Sequence, residues 1–143
     1  MTRSRIIVVV GMLAIAAGCK GTEKSEAEVN LERLGAIVKT KFDKAGGFPS
    51  GRVGPTPAVL CCNQPDKACN DPGAWQLPLW TELGFSIPGK HKFVYSYEGS
   101  PTQFTIKATG DLDCDGAPVE FVLTGTAEGK KVVTTWQKPK TLD

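Results

Sequence analysis

Two adjacent cysteines, Cys61 and Cys62, with Cys69 close behind and Cys114 far along the chain, restrict the fold more than any other feature. Four oxidised cysteines allow three pairings. Ring strain disfavours joining the neighbours, so one short bridge ends on Cys69 and one long bridge ends on Cys114. Which neighbour takes which partner stays open. A bridge closing a loop of about 53 residues stabilises by roughly 4 kcal/mol in the chain-entropy picture. A four-cysteine zinc site is the competing reading, but CC-x6-C lacks the paired CxxC spacing of zinc ribbons. Disulfides presuppose an oxidising compartment, so the argument turns on export.

The N-terminus supplies that argument. Arg3 and Arg5 precede an apolar run from Ile6 to Ala17. Its length suits a signal-peptide core and falls short of the roughly 20 apolar residues a membrane span needs. The run ends in Ala16-Ala17-Gly18-Cys19, which resembles the lipobox of bacterial lipoproteins, with Ala16 where that motif usually has Leu. The resemblance implies that residues 1–18 leave as a signal peptide, that Cys19 carries a covalent lipid, and that residues 19–24 form a lipidated tether to a membrane. Lys20 is unlike the Asp that retains enteric lipoproteins at the inner membrane, which favours an outer-membrane location.

Export also changes the charge. The chain has 17 Lys and Arg against 15 Asp and Glu, and Arg3 and Arg5 leave with the signal, so the mature chain is formally neutral. No basic cluster is interleaved with aromatics, and a nucleic-acid partner is not expected. About 125 residues remain, enough for one domain with a modest core.

Ser25 and Glu28 form a capping box ahead of Ala27, Leu31, Leu34, Val38 and Phe42, which recur at helical spacing. Gly46, Gly47 and Pro49 stop this helix, which is about 20 residues long. From Phe48 to Pro78 six prolines and three cysteines suggest an irregular loop fixed by disulfides, with a short helical turn at Leu77–Leu83. Trp75, Trp80 and Phe85 are its expected packing anchors. Period-two alternation then marks strands at His91–Tyr97, Thr102–Thr109, Val119–Leu123 and Lys131–Trp136. The expected fold over 25–143 is α+β: one long N-terminal amphipathic helix packed on a four-stranded antiparallel β-meander, with the disulfide-fixed loop between them.

Ser25-Glu26-Ala27-Glu28-Val29-Asn30-Leu31 resembles the amphipathic half of the type IV pilin helix. Trp80-Thr81-Glu82-Leu83-Gly84-Phe85, Phe93-Val94-Tyr95-Ser96-Tyr97 and Ala108 to Gly116 are similar to stretches of myxobacterial-type pilin-like and pseudopilin-like proteins. The ordered set covers most of Ser25 to Trp136. It implies a pilin-like globular domain and, as partners, proteins of a pilus or a type II secretion-like system. The chain departs from the family in lacking the pilin cleavage site, the early glutamate and the long apolar half-helix that builds filaments. A pilin-like domain carried on a lipid anchor is therefore not expected to polymerise by the pilin mechanism.

Asp111-Leu112-Asp113-Cys114-Asp115-Gly116 is the one run with metal-ligand chemistry. Alternate carboxylates on a tight turn converge on a hard cation, and Asp111, Asp113 and Asp115 are the expected ligands for calcium. Pseudopilins can hold calcium in sheet-side loops, which the resemblance brings to the same turn. Position twelve of an EF-hand falls on Val122, so this is not that loop, and Glu120 joins only if its strand starts irregularly. An acidic hairpin tip is the plain alternative. His91, the single histidine, reads as a solvent-facing strand residue, and Gly51-Arg52-Val53-Gly54 lacks P-loop and Rossmann spacing. No catalytic set emerges. The expected function is a non-enzymatic, membrane-anchored accessory or interaction component. The alternative is a free-standing surface lipoprotein that binds calcium and an extracellular ligand.

Overall fold

The computed structural model describes residues 23–142, so the expected signal peptide, Cys19 and residues 19–22 of the expected tether lie outside the described residues. The first helix, α1 (Glu26–Ala45), starts where its sequence dictates. Ser25 Oγ accepts from the Glu28 amide at 3.2 Å, and the Glu28 carboxylate accepts from the Ser25 amide at 3.0 Å. Both orphan donors are thereby satisfied. Gly46 ends the helix in the left-handed conformation and donates to the Phe42 carbonyl at 2.8 Å. Ala27, Leu31, Leu34, Val38 and Phe42 are all buried, as their spacing requires.

That stripe packs on a single antiparallel sheet in which every strand neighbours the next in sequence. The strands are β1 (Gly51–Thr56), β2 (Val94–Ser100), β3 (Gln103–Gly110), β4 (Val119–Glu128) and β5 (Lys131–Gln137). Tyr95, Tyr97, Phe104, Ile106, Ala108, Phe121 and Leu123 form the buried face under α1. Val132 and Trp136 extend that face along β5 and are half-buried. The opposite face carries Glu98, Thr105, Lys107, Thr124, Val133 and Thr135, the alternation expected of a sheet with one wet side.

The expectation of one helix on a four-stranded meander is overturned, because the sheet has five strands. The extra strand lies in the segment read as irregular loop. Gly51-Arg52-Val53-Gly54-Pro55-Thr56 lacks alternation and contains a proline, which argues against a central strand. As an edge strand it tolerates both. It pairs through Gly51↔Gly99, Arg52↔Glu98 and Val53↔Tyr97, then shifts register before Thr56↔Tyr95. Only Val53 and Thr56 are buried, too few to announce a strand in sequence.

The rest of the segment folds around crosslinks and aromatics. The disulfides pair Cys61 with Cys69 and Cys62 with Cys114, which decides the pairing that spacing had left open. Short 3-10 turns at Cys61–Asn63, Pro65–Lys67 and Pro72–Gln76 lead into a second helix, α2 (Pro78–Leu83). Trp80 is fully buried, and its Nε1 donates to Thr56 Oγ1 at 2.8 Å, which ties α2 to β1. Trp75, Trp80, Phe85 and Tyr95 pack ring against ring at 5.4 to 6.3 Å. Arg33 of α1 lies 4.5 Å above the Phe85 ring and donates to the Ser86 carbonyl. Tyr97 Oη donates to the Pro49 carbonyl, and burial pushes that hydroxyl up to about 12. Among the described residues no helix is long and apolar enough to cross a membrane.

Candidate functional site

The acidic turn joins β3 to β4, and its backbone is organised by its own carboxylates. Asp111 is buried, with Oδ1 accepting from the Asp115 amide at 3.1 Å and Oδ2 accepting from the Gly116 amide at 2.9 Å. Asp113 Oδ1 also accepts from the Asp115 amide, and Asp115 Oδ1 accepts from the Ala117 amide at 2.8 Å. Each carboxylate thus caps amides that the tight turn would leave without a ladder partner. One oxygen from each of Asp111, Asp113 and Asp115 lies within 4.8 Å of the others. The sequence-derived trio is therefore brought together, with Asp111 inside and the other two at the surface.

Glu120 does not join them. β4 pairs regularly from its first residues, Gly110↔Val119 and Thr109↔Glu120, and Glu120 meets Lys107 at 3.3 Å on the outer face. Cys114 sits in the turn at φ 63, a left-handed conformation unusual for a residue with a Cβ. Its bridge to Cys62 fastens the turn to the loop that follows β1. Gly116, at φ 92, completes the bend where only glycine fits easily.

A second cluster escaped sequence reasoning. Cys61, Cys69 and His91 place sulfur and nitrogen atoms within 4.8 Å of one another. The reading of His91 as solvent-facing is corrected here, because it is 3% exposed. Its backbone forms a two-way bridge with Cys69, at 2.9 and 3.0 Å, and its Nδ1 donates to the Phe93 carbonyl at 2.8 Å. Both sulfurs are committed to the disulfide, so the cluster serves as a packed joint between the bridged loop and β2. Lysines on either side of His91 suggested exposure, and nothing in the alternation signalled the bridge to Cys69.

No family model, no curated protein and no solved structure matches the chain.

The remaining features are surfaces. Across the wet face of the sheet, register aligns Glu98, Thr105, Thr124 and Thr135 in one row, with Arg52 bonded to Glu98 at 2.7 Å at its end. Trp75 and Trp80 are buried in the core, as packing anchors should be. Trp136 is half-buried on β5 with the Lys138 ammonium 5.0 Å over its ring.

Proposed function

We propose that the chain is a lipid-anchored, pilin-like interaction component of a bacterial cell envelope, attached through Cys19 and working by binding rather than catalysis. Its partners are proteins of a pilus or a type II secretion-like system, and the outer membrane is the favoured location. One observation carries this reading. The whole apolar stripe of α1, from Ala27 to Phe42, is buried against the domain's own sheet, while the apolar run before it stops at Cys19. The main apolar stripe of the helix is thus taken up by its own sheet, so attachment falls to the lipid and interaction falls to the outer faces of the domain. Metabolic labelling with an alkyne fatty acid tests the anchor. Wild type is expected to take the label and fractionate with membranes, and Cys19→Ser to lose both; an unlabelled wild-type chain would overturn the reading.

A second reading, a free-standing lipoprotein that takes calcium in the Asp111 turn, is favoured by the convergence of its three carboxylates within 4.8 Å. Thermal melts separate the two. Saturating calcium stabilises a calcium-binding fold by RT ln(1+[L]/Kd). A melt that calcium and EDTA leave unchanged, in wild type and Asp113→Ala alike, would remove the second reading.

A further inference from the structure

The two edges of the sheet are built differently. β1 carries Pro55 and a register shift between Val53 and Thr56, and Pro57 follows it. A missing amide and a break in register blunt an edge against pairing. β5 has neither device. Its seven residues contain no proline or glycine, and they pair with β4 without a shift from Val122↔Gln137 to Glu128↔Lys131.

The turn determines which backbone groups of β5 remain open. Gly129 and Lys130 alone separate the paired residues Glu128 and Lys131, so this closing pair exchanges the hydrogen bonds of the hairpin. Alternation then turns Val133, Thr135 and Gln137 toward β4, and turns the N–H and C=O groups of Val132, Thr134 and Trp136 to the open side. Val133, Thr134 and Thr135 are exposed.

Charge selects the occupant. Residues 130–140 hold Lys130, Lys131, Lys138 and Lys140 and no acid. Among the described residues, Glu128 lies across from Lys131 and Glu28 of α1 is bonded to Lys138. Two β5 strands paired antiparallel about Thr134 would set Lys130 of each copy against Lys138 of the other, so a second copy is disfavoured. Residues 1–22 contain no Asp or Glu and offer no complement either. We propose that the β5 edge docks an extended segment of a partner protein, with β-branched residues at its centre and acidic residues at both ends, as a sixth strand. This rests on the reading of the chain as an interaction component and gives that component its surface.

The test uses the described domain with both disulfides intact and a short peptide of alternating valine and threonine flanked by paired aspartates. Amide NMR shifts are expected along β5, and the amides of Val132, Thr134 and Trp136 should exchange quickly in the free protein and slowly in the complex. Thr134→Pro removes the central open amide without removing a β4 ladder bond, and is expected to weaken binding at least about tenfold. Reversing Lys130, Lys131 and Lys140 to Glu should weaken the aspartate peptide and admit a lysine-flanked one. A peptide N-methylated at alternate amides is expected to fail on wild type, a control independent of how any variant folds. The proposal is overturned if the aspartate peptide leaves β5 unmoved, if the N-methylated peptide binds as well, or if the free protein self-associates through β5. Failure of the peptide alongside specific capture of envelope partners in cells would reject this edge while leaving the interaction role standing.

Discussion

The helix with strands β2 to β5 and the segment from Phe48 to Phe93 are held by different physics. The first half follows two periodicities, and every apolar position that they select is buried or half-buried against its counterpart across the layer. The second half has no lasting period. It is fixed by two disulfides, a Trp80–Thr56 hydrogen bond and a stack of aromatic rings that shares one core with the first half. A small disulfide-bonded domain can thus place a strand such as β1 without strand-like sequence, provided crosslinks and large side chains hold its surroundings.

If the second half is part of the same cooperative unit, its central anchor should matter as much as a helix residue. Trp80→Ala and Leu34→Ala are each expected to cost about 3–5 kcal/mol in urea melts. A Trp80 variant that unfolded the second half alone, in a separate transition, would break the comparison into two units. Next in size is Cys62→Ser/Cys114→Ser, expected to lose about 4 kcal/mol because the closed loop is long. Removing the short Cys61–Cys69 bridge is expected to cost less, by about 1 kcal/mol or more.

The first half can be probed by overfilling it. A Cβ at Gly125 would overlap the Phe104 ring, so Gly125→Ala is expected to destabilise by roughly 1–3 kcal/mol. The smallest effect concerns pH. A side-chain hydrogen bond from Lys138, followed by the Ser25 amide, holds the Glu28 carboxyl below its ordinary range. Its contribution is therefore present above the unfolded carboxylate pKa and is lost as pH falls through the lowered folded value. Lys138→Ala should flatten this part of the acid limb, by roughly 0.2–1 kcal/mol.

The same division explains what could be read in advance. The capping box, the five buried helix positions and the four alternating strands are local patterns, and the structure realises each within a few residues. The strand count was missed because β1 depends on Tyr95 and Tyr97 for its partners and on Trp80 for its cover, all remote in sequence. The burial of His91 was missed for a similar reason, since its partner Cys69 lies in the bridged loop. Of the candidate site, the convergence of Asp111, Asp113 and Asp115 was legible from spacing. The capping of backbone amides by Asp111 was not, because it depends on the conformations of Cys114 and Gly116.

Cross-linking in the native cells, followed by isolation and mass spectrometry with the linked residues mapped, tests the interaction role most directly. The expected result is reproducible recovery of pilus or secretion-system proteins, with links to Lys130, Lys131 or Lys140 lost in the Thr134→Pro variant. Recovery of abundant envelope proteins alone, unchanged by Thr134→Pro, would contradict it.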